Sequence, residues 1–155
     1  MKRRIITFAF LAALLAALGA CSSKDNGAQL VSRDDAAKLL INRNWLDLWP
    51  KKKDQRLHVY RFTPAMGGGV YQDRTVFAGH FELFAFEVHD DEIRFNLPHK
   101  AQRVRSRFTI HRVQGPKPFD LKLTLTPSPR GPATYYGFTR ESSQLLSRLG
   151  LSRLP

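Results

Sequence analysis

Arg103, Arg105 and Arg107 stand at alternate positions with His111 further along in the same register, and they are the residues whose type and spacing point most directly to chemistry. On an extended chain, alternate side chains share a face and lie about 7 Å apart. A guanidinium fork takes phosphate or carboxylate through two hydrogen bonds. The spacing predicts either an anion-binding face or a solvated strand face whose long stems cover apolar surface. His80 and Glu82 also share a strand face and could hold one ligand between them, although a solvent-facing polar stripe is the better account. His89-Asp90-Asp91-Glu92 offers oxygen ligands but lacks the glycine and spaced carboxylates of a calcium loop, so a polar hairpin turn is the better account. Gly67-Gly68-Gly69 is not followed by Lys-Ser/Thr or by a helix, and reads as a flexible turn. The five histidines are scattered, without His-Glu-x-x-His spacing, and the single cysteine forms no Cys-x-x-Cys pair. We expect no catalytic set, no metal centre and no cofactor.

A second group is apolar. Trp45, Trp49, Phe84, Phe86 and Phe108 either line a cavity for a lipid or fill a core, and a small barrel favours filling. The chain has 11 Phe, 4 Tyr and 2 Trp, aromatic surface suited to a core that must hold without disulfides.

The elements that must position these residues follow from periodicity. Ser32 is placed to cap a short helix, with Asp34 and Asp35 in its first turn, where carboxylates suit the helix dipole. A strand around Trp45 precedes the loop at Pro50 and Lys51-Lys52-Lys53-Asp54. Leu57 to Thr63, Val70 to Phe77, Gly79 to Val88, Ile93 to Leu97, Arg103 to Val113, Phe119 to Thr126 and Thr134 to Phe138 follow as strand candidates between turn signals. Ser142 to Leu149 reads as a short C-terminal helix, with Leu145, Leu146 and Leu149 at helical spacing. No long helices separate the strands, which argues against parallel βαβ units. The fold class is mainly β. An antiparallel up-and-down meander closing into a small barrel is the economical arrangement, because closure removes sheet edges. A β-sandwich is the alternative, since alternation does not distinguish the two.

The amino terminus reads as an export signal. Lys2, Arg3 and Arg4 precede an apolar run from Ile5 to Ala20 that is short for a membrane span. The run ends at Leu18-Gly19-Ala20-Cys21, which resembles the lipobox of bacterial lipoproteins. That resemblance implies cleavage before Cys21, diacylation of its thiol and acylation of the new amino terminus. Residues 1–20 are then a signal peptide, 21–30 a flexible tether and 31–155 one domain. Ser22 and Ser23 lack the Asp that retains enteric lipoproteins in the inner membrane, implying an outer-membrane anchor facing the periplasm. The net charge is +12, and only three of its cations leave with the leader. An exported chain rarely meets nucleic acid, so the counterparts of this charge are anionic lipid or acidic glycan, each basic residue contributing about 1 kcal/mol near an anionic surface. A basic surface that merely keeps the protein soluble is the alternative.

The short helix, Asn42-Arg43-Asn44-Trp45 entering the first strand, the hairpin meander and the terminal helix together resemble lipocalin-like (calycin-type) small barrels. Lipocalins carry Gly-x-Trp at that strand; here Arg43 stands at the glycine position. The resemblance implies non-catalytic binding of a small apolar or amphipathic ligand inside the barrel. An envelope module that binds anionic lipid or glycan through the Arg103, Arg105 and Arg107 face is the second expectation.

Overall fold

The computed structural model describes residues 27–139. The leader, Cys21 and the expected helix Ser142–Leu149 lie outside them. The described elements run β1 (Gln29–Leu30), α1 (Arg33–Leu40), β2 (Asn44–Leu46), β3 (Leu57–Thr63), β4 (Gly68–Arg74), β5 (Gly79–His89), β6 (Glu92–Leu97), β7 (Gln102–Arg112), β8 (Leu121–Thr126) and β9 (Thr134–Gly137).

Each strand from β2 to β9 pairs antiparallel with the next, and β9 pairs back onto β2 through Leu46 and Tyr136. The result is a closed eight-stranded up-and-down barrel, which excludes the sandwich. β7 makes closure possible by its length. Residues 102–107 pair with β6, and residues 107–112 pair with β8. That stagger is the shear a barrel of this size requires. β1 then adds to the far end of β7, with Gln29 opposite Arg112 and Leu30 opposite His111. Part of the stretch expected to be tether is therefore sheet: a backbone beside an open strand end satisfies its hydrogen bonds by joining it.

Alternation divides the barrel cleanly. Trp45, Tyr60, Phe62, Phe84, Phe95, Ile110 and the leucines of β8 are buried in one interior cluster. Tyr60 stands among the rings of Phe62, Tyr71, Phe84, Phe95 and Tyr135, with centroids 4.9–6.2 Å away. An interior of eight strands is just wide enough to be filled by such side chains. The opposite faces of β2, β3 and β9 carry a second, smaller cluster: Leu46, Leu57, Val59, Phe119 and Phe138, with Trp49 and Tyr136 packed against it. α1 begins at Ser32, whose hydroxyl accepts from the Asp35 amide at 3.3 Å, and it buries Ala36 and Leu40 against the interior. Trp45 ties helix to barrel, its indole N–H donating to the Leu40 carbonyl at 2.9 Å.

The bounds of β4 depart furthest from the sequence expectation, those of the later strands agreeing to within two residues. β4 begins at Gly68, not Val70, and ends at Arg74, not Phe77. The Thr75 hydroxyl accepts from the Phe77 and Ala78 amides, both at 3.2 Å, which closes a turn before the strand can continue. Gly67, at φ +79, supplies the left-handed residue that turns Pro64–Met66 into β4. No helix among the described residues is long and apolar enough to cross a membrane.

Candidate functional site

The loops joining β2 to β3, β4 to β5, β6 to β7 and β8 to β9 all emerge at one end of the barrel, and there the interior turns polar. Glu82, inward on β5, is buried to 5 % exposure. Arg130, from the loop after β8, reaches in and donates from Nε and Nη2 to the two carboxylate oxygens of Glu82, at 2.7 and 2.8 Å. Hydrogen bonding from Arg130 holds the Glu82 carboxyl below its usual range, and Glu82 in turn raises Arg130. The Arg130 carbonyl accepts from the hydroxyls of Tyr60 at 3.2 Å and Tyr135 at 2.9 Å. Gly131 follows at φ +62; a Cβ there would lie 2.7 Å from the hydroxyls of both Tyr71 and Tyr135. Beside this plug, the Tyr71 hydroxyl and His58 Nδ1 are 2.7 Å apart. Burial, followed by the charges of Asp73 and Asp47, pushes Tyr71 up to about 12, so the phenol keeps its proton at neutral pH. Asp73 is paired with Arg56, whose hydrogen bonds lower it, while burial raises Asp47.

This end is closed by its own side chains. The expected pairing of His80 with Glu82 is present as a shared inward face, but Arg130 takes the carboxylate, and His80 sits exposed at the rim with its ring 6.2 Å from His99. Among the described residues, no three His, Cys, Asp or Glu gather as metal ligands. Asp90 and Asp91 form the hairpin turn between β5 and β6, with Asp90 at φ +52.

The apolar candidates separate. Trp45, Phe84 and Phe108 are buried members of the interior, and Phe86 is partly buried against it, 5.2 Å from the Phe62 ring. Trp49 is not with them. It lies on the outer side, edge-on to Phe119 at 5.9 Å and Phe138 at 6.3 Å, because the chain leaves β2 on the Leu46 face.

A concavity lies instead on the outer wall of β3, β4 and β5. It has a volume of about 670 Å³ and is lined chiefly by Met66, Val70, Phe81, Leu83, Pro98 and the Gly67–Gly69 backbone, with Arg61 and Gln72 on its polar side. Phe81 is 52 % exposed and Leu83 73 % exposed. These positions face outward because Glu82 and Phe84 face in. The glycines leave room where other residues would put side chains, and Arg61 donates to Asn44 Oδ1 at 3.2 Å.

The arginine stripe is arranged as its spacing predicts. Arg103, Arg105 and Arg107 are exposed on the outer face of β7. Their neighbours on β6 are Asn96 opposite Arg103, Arg94 opposite Arg105 and Glu92 opposite Arg107. Arg94 donates to Glu92 at 3.1 Å, and Glu87 engages His89 at 3.2 Å. His111 shares the face but is half-buried between Leu30 and Lys122. A scan against protein-family models, a search of curated proteins and a search of solved structures each return no match for this chain.

Proposed function

We propose that this chain is a lipid-anchored envelope protein whose barrel is a non-catalytic binding module for a single-chain amphiphile, held in the outer groove of β3, β4 and β5 and not in the interior. The groove carries the proposal: its volume of about 670 Å³ falls in the range of small-molecule sites. Its lining is mostly carbon, and Phe81 and Leu83 hold exposed apolar surface that a bound chain would remove from water at about 25 cal/mol per Å². Arg61 and Gln72 place polar groups at one wall, which suits the polar head of an amphiphile. The barrel interior is already packed with Tyr60, Phe62, Phe84 and Phe95, so the outer wall is the better place for cargo. The anchor rests on the basic start, the apolar run and Cys21. Non-catalytic binding suits a fold whose buried polar groups are engaged with one another at the closed end.

Native mass spectrometry of the protein purified from its host should show a co-purifying amphiphile, and a fluorescent fatty acid should be displaced by unlabelled fatty acids. Leu83→Glu together with Phe81→Glu should weaken binding at least tenfold. Absence of any binding by the unaltered protein, or binding untouched by the double variant, would overturn the groove. Intact mass of the mature protein should show acylated Cys21 as its first residue.

A further inference from the structure

We infer that the outer face of β6 and β7, built around Arg94, Arg103, Arg105 and Arg107, is the surface by which the barrel lies down on anionic lipid head groups. Its first support is the register. Antiparallel pairing sets Arg94 directly opposite Arg105, an arrangement in which two like charges repel across a strand pair. Arg103 faces Asn96 and has no acidic residue across from it. Arg103, Arg105 and Arg107 make no hydrogen bond or ion pair with the rest of the described chain, and all three are exposed. Glu92 offsets part of this charge through Arg94, and Glu87 is engaged with His89. The face keeps a net positive potential along β7, with guanidiniums repeating about every 7 Å. Phosphate oxygens are the acceptors that such a row of planar forks fits best.

The second support is where the chain leaves the barrel. β1 is laid along the His111–Arg112 end of the same strand. Six peptide units separate Cys21 from Gly27. Fully extended they span at most about 20 Å. Arg107 is five positions from Arg112 along β7, about 17 Å away. The chain thus joins the barrel along the same strand that carries the arginine face, at the end nearer Arg107 than Arg103. The anchor part of this inference rests on the lipoprotein reading above; the charge part stands without it.

The test uses the full acylated protein in vesicles of phosphatidylcholine alone or with one-third phosphatidylglycerol, carrying a fluorophore at Asn96→Cys within the face or at Lys52→Cys in the β2–β3 loop. Lipids bearing a quencher in the head-group region should quench the Asn96 label in the anionic vesicles, several-fold less in the neutral ones, and leave the Lys52 label bright. Replacing Arg103, Arg105 and Arg107 with Gln should abolish this difference. For the unacylated chain, the same replacement should weaken pelleting with anionic vesicles roughly a hundredfold at low salt, on about 1 kcal/mol per charge. Equal quenching at both positions, or quenching unchanged in the triple variant, would overturn the docking face. Release of the unacylated protein from vesicles by an acidic polysaccharide at equal charge concentration would overturn the lipid assignment in favour of a glycan. If the host's protein carries no acyl group on Cys21, the anchor fails while the pelleting result still decides the face.

Discussion

Arg130 and Glu82, 48 residues apart in the chain, meet inside the barrel mouth as a two-point ion pair at 2.7 and 2.8 Å. The same loop gives its Arg130 carbonyl to Tyr60 and Tyr135, so one residue engages β3, β5 and β9 together. Both partners of the pair are well buried, at 5 % and 15 % side-chain exposure. Removing one partner strands the other's charge, which in buried pairs costs about 3 kcal/mol or more. Glu82→Gln should therefore lower stability by about that amount, measured by urea unfolding. Arg130→Met added to it should cost less than the two single changes together.

The pair also fixes an acid limit. Its folded-state carboxyl is held below the ordinary glutamate value of 4.5, so the native state binds this proton more weakly than the unfolded chain. The stabilisation is complete above about pH 4.5 and is lost as pH falls through the lowered value. The stability gap between the unaltered protein and Glu82→Gln should narrow as pH drops below that point. A gap that stays constant down to the acid transition would show that the pair does not titrate as described.

At the alkaline end the sign reverses. Burial raises Tyr60, Tyr71 and Tyr135 above the ordinary value of 10, Tyr71 to about 12. Between pH 10 and 12 the unfolded chain releases phenolic protons that the native state retains, so stability should fall steeply there. Tyrosinate absorbance followed against pH should show delayed ionisation, and Tyr71→Phe should flatten the fall by its share.

Gly131→Ala probes the plug without touching charge. The position has φ +62, and the added Cβ would sit 2.7 Å from two hydroxyls. A loss of about 1–3 kcal/mol is expected from the strained backbone alone. Gly67→Ala has the same kind of φ, +79, with nothing within 4 Å, and should cost less. Thermal unfolding of the two variants side by side separates crowding from backbone strain.

Leu83→Glu should leave folding nearly untouched. Its side chain is 73 % exposed, and substitutions at such positions usually stay within about 0.5 kcal/mol. The same variant should lose amphiphile binding, so a circular-dichroism melt and a displacement titration on one sample distinguish a site from a structural contact.

How much of this was legible depended on distance along the chain. Alternation in β6, β7 and β8 placed Ile93, Phe95, Leu123 and Leu125 inside and the three arginines outside, because the face of a strand residue is set by its local position. The capped helix at Ser32 was readable for the same reason: its cap and first turn lie within a few residues. Closure was not written in any one segment; it depends on β7 being long enough to pair with two neighbours in different halves. Arg130 gave no signal, since its partner is set by how the barrel rolls up and not by spacing. Trp49 looked like Trp45 in composition, yet it follows Leu46 and Leu48 onto the outer face. The groove was hidden too. Phe81 and Leu83 belong to a strand apolar on both faces, and sequence alone could not say which face Glu82 would bury.

β1 gives the barrel a mechanical weak point. Any pull arriving from the amino terminus enters through a two-residue strand held by its ladder to β7 and by the Val31 amide donating to the Ile110 carbonyl at 2.9 Å. The seams from β2–β3 to β8–β9 are longer, with β3 and β4 in register from Leu57 and Arg74 to Thr63 and Gly68; the single-pair seam of β2 with β9 lies behind α1 in the line of pull. Under load β1 peels first. Its release lengthens the pulled segment by the stretch from Gly27 to the Ser32 cap, about 17 Å at full extension, while every barrel seam stays shut. For a pull on the amino terminus β1 thus works as a fuse, yielding length before the fold yields shape.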